Sequence, residues 1–122
     1  MKTNTTRKPA KKSLPEIPLE HAHGGSGSRQ LIFSTADVFV SSQFDAMTKG
    51  YLAKGGMFDW HDHRDIDEFF IVTSGRGTIE YEDGTVFQYA AGDIIYNPAN
   101  IKHRIINTAE DNNEFFFIRI KA

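Results

Sequence analysis

Turn signals recur along this chain at intervals that leave room only for short strands. From Gly55 onward they fall at Gly55-Gly56, residues 65–67, Ser74-Gly75, Asp83-Gly84, Gly92-Asp93, Asn97-Pro98 and residues 111–113. The runs between them are rich in Val, Ile, Phe and Tyr, which fit a pleated surface. Residues 78–82 alternate polar and apolar side chains, Asp83-Gly84 suits a two-residue hairpin turn, and residues 86–89 return. Ile94-Ile95-Tyr96 and Arg104-Ile105-Ile106 flank Pro98. Residues 114–120 close the chain with Phe115-Phe116-Phe117, apolar on both faces, and such a strand is covered on both. Upstream, residues 29–34 and 38–40 read as strands around Thr35-Ala36-Asp37. Residues 43–54 are ambiguous: Phe44, Met47, Tyr51 and Leu52 fit a helix, but Gly50 and the β-rich surroundings favour a strand over 49–53. This rhythm predicts an all-β sandwich or barrel. A chain of 122 residues, 39% hydrophobic with ten Phe, supports one aromatic-heavy core.

Within that rhythm lies a set of metal-binding side chains. His61 and His63 are two residues apart, so on a strand they project from one face. A reversal over residues 64–67 brings Glu68 back opposite them, and two imidazoles with a carboxylate suit a divalent ion. His103, at the start of the strand after Pro98, is the fourth candidate. The chain has no Cys, so the donors are N and O only. Iron, manganese, zinc, nickel and copper all accept such a set. Any one of these residues alone reads more simply as a structural or surface group. Their convergence at these spacings is what argues for an ion.

The stretch from Gly55 resembles the first sequence motif of the cupin superfamily: Gly55, His61, His63, Glu68 and Gly75 match every spacing. The second motif is matched by Gly92, Pro98, His103 and Asn107, with Asn100 in place of its second Gly. Asn tolerates φ > 0 better than other non-glycine residues, so the turn is expected to survive. The two motifs cover about residues 55–107, and the strand rhythm extends the likeness to roughly 29–120. The resemblance implies a double-stranded β-helix, or jelly-roll barrel, of the small single-domain type. It also implies one divalent metal ion held by His61, His63, Glu68 and His103.

Strand parity sketches a pocket. Met57 and Asp59 share a face with His61 and His63, and Asp59 is the candidate catalytic base or orienting group for an imidazole. Phe58 and Trp60 face the other way, toward a sheet or subunit contact. Phe70 and Val72 share the face of Glu68; Ile105 and Asn107 share that of His103. Tyr96, Arg104 and Gln88 are polar contacts of undecided direction.

Residues 1–28 are expected to form a flexible basic, Pro- and Gly-containing arm ahead of a barrel domain spanning 29–122. His21-Ala22-His23 repeats the paired spacing but has no carboxylate in register and is followed by glycines, so a solvated arm is the favoured reading. The net charge of −2 argues against a nucleic-acid surface, and no apolar run is long enough to cross a membrane. A cytoplasmic location is therefore expected, as is a homodimer that covers the surplus aromatic surface. Two functions compete. One is a metal-dependent enzyme acting on a small organic substrate as a dioxygenase, isomerase or lyase. The other is a module that binds or senses a small ligand, such as a sugar or sugar acid, without turnover. A purely structural metal is a third reading.

Overall fold

The computed structural model describes residues 8–22 and 26–122. A short 3-10 turn, Leu14–Glu16, precedes strands β1 (Glu20–His21), β2 (Ser28–Ser34), β3 (Phe44–Leu52), β4 (Met57–His61) and β5 (Ile66–Ser74). There follow β6 (Arg76–Tyr81), β7 (Val86–Ala90), β8 (Ile94–Asn97), β9 (His103–Asn107) and β10 (Asn113–Lys121). They form a six-stranded sheet, ordered β1-β2-β3-β10-β5-β8, and a four-stranded sheet, ordered β4-β9-β6-β7. The expected all-β jelly roll is what the chain adopts.

The sheets bury an aromatic core between them. Phe58, Ile79, Tyr81 and Ile105 come from the smaller sheet, and Leu52, Phe70, Val72, Phe115 and Phe117 from the larger. Phe70 stacks on Phe117 with centroids 5.2 Å apart, and Phe58 meets Phe117 edge-on at 6.0 Å. Each fully buried ring of this size contributes about 1.5–3 kcal/mol over its exposed state. Gly50 is the counterpart of these rings on β3, since a side chain there would come within 2.7 Å of the Phe117 ring. Residues 43–54 therefore resolve as strand, with Ala46, Thr48, Gly50 and Leu52 buried in alternation.

Turn chemistry works as expected at most of the predicted breaks. Gly75 lies at φ +89, and a Cβ there would overlap the Asn113 side chain. Asn100 does take the left-handed conformation, at φ 67. Residues 38–40 are a correction: they form a turn, not a strand. The Asp37 carboxylate accepts the Ser34 amide at 2.8 Å, and the Val40 amide donates to the Asp37 carbonyl at 3.1 Å. These local bonds satisfy the backbone where a strand would have needed a neighbour.

The segment before β2 is tied to it. Gln30 Nε2 donates to the carbonyls of Leu14 and Ile17, at 2.8 and 3.0 Å. Lys12 Nζ donates to the Ile32 carbonyl and pairs with Asp37. β1 pairs with β2, placing Glu20 beside Arg29, and Ala22 joins the core. His21 is exposed on β1, and His23 lies outside the described residues.

Candidate metal centre

Two cross-strand rows face each other inside the barrel. On the smaller sheet His61 of β4 is opposite His103 of β9, and His103 is opposite Tyr81 of β6. On the larger sheet Arg119 of β10 is opposite Glu68 of β5, which is opposite Asn97 of β8. Glu68 thus meets the histidines across the barrel and not from the neighbouring strand. His63 lies just past the end of β4, where its carbonyl accepts the amides of Ile66 and Asn100, both at 3.3 Å.

The imidazoles of His61, His63 and His103 offer nitrogens that all lie within 4.8 Å of one another, a group able to hold a metal ion. Among the described residues no other such group occurs. A single ion holds imidazole nitrogens at about 2.0–2.1 Å, so two that share it stand at most about 4.2 Å apart, and a cluster of this size needs only a small inward turn of its rings to hold one. His61 Nδ1 lies 2.6 Å from the Asp59 carbonyl, a contact that fixes the ring and leaves Nε2 to the cluster. His103 is 1% exposed, and its Nε2 makes no hydrogen bond among the described residues; the Glu68 Oε1 atom stands 3.6 Å away. A buried nitrogen without a donor or acceptor is costly, and an ion in the cluster would relieve it.

Glu68 is the hub of the opposite row. Its Oε2 lies 2.9 Å from Arg119 Nε and 3.1 Å from His63 Nε2. Its Oε1 accepts Asn97 Nδ2 at 3.1 Å. Asn97 Oδ1 in turn accepts the Tyr81 hydroxyl, which joins the two rows. Burial acts to raise the Glu68 pKa, but the His63 hydrogen bond and the Arg119 charge outweigh it and hold the carboxyl well below the usual range. Burial lowers His61 and pushes His103 down to about 4, so both rings favour the neutral, ligating form. Burial, with the Glu68 and Asp83 charges, raises the Tyr81 hydroxyl.

Several parity assignments need correction, and one cause covers the first of them. The β4–β9 pairing shifts register between Phe58 and His61, so β4 carries an extra residue there. Phe58 therefore points inward opposite Ile105, on the same side as His61. Met57 is turned to the outer face opposite Ile106. The Asp59 carboxylate accepts the Trp60 amide at 2.8 Å, so Asp59 serves the site through its carbonyl. Tyr96 is half-exposed and donates to Asp67 on the outer face at 3.0 Å. Asn107 is a structural clamp: its Nδ2 donates to the carbonyls of Leu52, Ala53 and Asp111. Phe70, Val72 and Ile105 do share the predicted faces, as packed core beside the histidines. Arg104 pairs with Glu80 at 3.0 Å and stacks on Trp60, and Gln88 is exposed on β7, bonded to Thr78.

Arg119, Asn97 and Tyr81 belong to the site although no motif spacing marks them. Arg119 carried a legible signal: it shares the parity of Phe115 and Phe117 and places a charge on an inward, otherwise aromatic face.

A family profile described as a cupin domain matches residues 50–119. A curated relative, the uncharacterized protein YdbB of Bacillus subtilis (strain 168), is 39% identical over 49 residues, 40% of this chain. The match spans 43% of that relative's length. A predicted oxalate decarboxylase from Thermotoga maritima has a similar structure, with TM-score 0.77 and 21% identity over 88% of this chain and 96% of that one. An RmlC-like cupin from Shewanella frigidimarina gives TM-score 0.72 and 18% identity over 95% and 94% of the two chains. The polyketide cyclase RemF from Streptomyces resistomycificus gives TM-score 0.76 and 14% identity over 93% and 80%.

Proposed function

The chain belongs to the cupin domain family, and from that premise we propose that it binds one divalent metal ion and uses it to transform a small organic molecule. His61, His63 and His103 hold the ion, and Glu68 completes the set through Oε1, the oxygen nearer His103. The observation that carries this is the buried Nε2 of His103, which has no hydrogen bond among the described residues and is aimed into the cluster. When bound, an ion at this place supplies a Lewis acid for substrate oxygen atoms, and a redox-active one supplies electrons as well. The protein's part is to orient and to exclude water. The Asp59 carbonyl fixes His61; Arg119 and Asn97 fix Glu68; Phe70 and Ile105 close the floor.

Fold does not choose the reaction, since the similar structures include proteins as unlike as a predicted oxalate decarboxylase and a polyketide cyclase. Dioxygenase, isomerase and lyase chemistry stay within the proposal. One observation supports the second reading, a binding or sensing module for a sugar or sugar acid. The Asp59 carboxylate, the expected base, is engaged by the Trp60 amide. We extend the proposal to a homodimer, formed through exposed Phe69 and Ile120 on the outer face of the larger sheet, in the cytoplasm. No helix among the described residues is long and apolar enough to cross a membrane.

Elemental analysis of protein purified without added metal tests the central claim. Stoichiometric iron with dioxygen uptake supports an oxygenase. A redox-inert ion without turnover supports the binding module. Absence of any ion that the protein retains on metal addition would reject both.

A further inference from the structure

We propose that the loaded centre takes an anionic ligand or substrate, and that Arg119 is the residue responsible; this rests on the metal-binding reading above. Arg119 is 7% exposed and Glu68 is 1% exposed, and their Nε–Oε2 contact is 2.9 Å. The two side chains cancel. Ligating imidazoles are neutral. A divalent ion added to this set leaves two positive charges in a buried place, where uncompensated charge is costly.

Nearby carboxylates lie in solvent, where water screens their charge. The bonds of Asp59 to the Trp60 amide, Asp65 to the Asn100 amide group and Asp67 to the Tyr96 hydroxyl are all exposed. Asp83, whose charge reaches Tyr81, lies at an exposed turn and accepts the Thr85 amide; Asp62, half-buried between His61 and His63 in the chain, is a further acidic neighbour. The counter-charge must then come largely from solution. A small carboxylate, an enolate or an inorganic anion with an N or O donor fits, whereas a neutral sugar leaves both charges standing.

The test uses full-length protein loaded with Co2+ and titrated with azide, followed in the visible spectrum, with neutral imidazole as the control ligand. Arg119→Met should weaken azide by at least about tenfold, because one unit charge is lost at short range in a poorly screened site. Imidazole should bind both proteins alike. Asp62→Asn should tighten azide. Equal azide affinity in wild type and R119M overturns the inference, and so does an equal loss for azide and imidazole, which would mark a structural role. Should R119M not fold, Arg119→Lys decides: it keeps the charge, so azide affinity should stay within about threefold, and a larger loss rejects the charge argument. Wild type that retains no Co2+ fails earlier and rejects the proposed function itself.

Discussion

Asn100 and Asp65 bond to each other in both directions. The Asp65 amide donates to Asn100 Oδ1 at 2.8 Å, and Asn100 Nδ2 donates to Asp65 Oδ1 at 3.2 Å. These are the two non-glycine residues at positive φ among those described, at 58 and 67. Asn100 is also where the second motif departs from Gly. The departure has a structural use: it ties the turn after β8 to the turn that carries His63, and the Asn100 amide adds a bond to the His63 carbonyl. Asn100→Gly keeps the backbone conformation and loses the side-chain bonds, so it should cost about 1 kcal/mol in urea denaturation. Asn100→Val adds backbone strain and should cost about 2–3 kcal/mol. Equal stability of N100G and wild type would show that the pair ties nothing.

His103→Ala and His61→Ala should each remove metal retention, read by elemental analysis after dialysis. Both truncations leave the opposite row of Arg119, Glu68 and Asn97 untouched, so folded protein is expected. Full metal content in both variants would overturn the ligand assignment.

Arg119→Met should destabilise the metal-free protein by about 3–5 kcal/mol, because it strips buried Glu68 of its permanently charged partner. Adding the ion supplies a new partner for that carboxylate. The denaturation midpoint of R119M should therefore gain more from metal than wild type does. An equal gain would mean that Glu68 does not reach the ion.

Stability of the metal-free protein should fall in mild acid. Burial pushes His103 down to about 4 from 6.5, so between those values the unfolded chain binds a proton that the folded chain does not. The contribution is complete above pH 6.5, is lost as pH falls, and levels off below about pH 4. The shift corresponds to roughly 3 kcal/mol, and His61 adds in the same direction. Urea midpoints measured at pH 7.5 and 4.5 check this; a flat profile in wild type, or the same slope in His103→Ala, would contradict it.

Phe58→Ala should cost about 3–5 kcal/mol, as an aromatic core truncation does, and Trp60→Ala less than about 1 kcal/mol. The pair tests the register shift in β4 directly. Similar costs would restore the simple alternation.

The strand rhythm and motif spacings carried most of the architecture, because turns are written locally. Asp83-Gly84 and Gly75 fix chain reversals with their own conformational preferences. The histidine cluster was legible for the same reason: His61, His63 and His103 lie at fixed distances from such turns. What escaped depends on pairing between distant segments. The extra residue in β4 shows itself only against β9, and it reversed Phe58, Met57 and Asp59. Arg119 lies 51 residues from Glu68, and no local pattern states that β10 runs beside β5. Residues 38–40 have strand-forming side chains, but Asp37 supplies local acceptors that won.

The division of the site between sheets has a kinetic side. Glu68 belongs to one sheet and His61 and His103 to the other, with the Tyr81–Asn97 bond spanning the gap beside them. An ion held by both rows works as a rivet. Its escape and the parting of the sheets become one event, so off-rates should track amide hydrogen exchange in β5 and β9. Solvent access to a mouth would then matter little: the barrel's own opening frequency sets the residence time of what it holds.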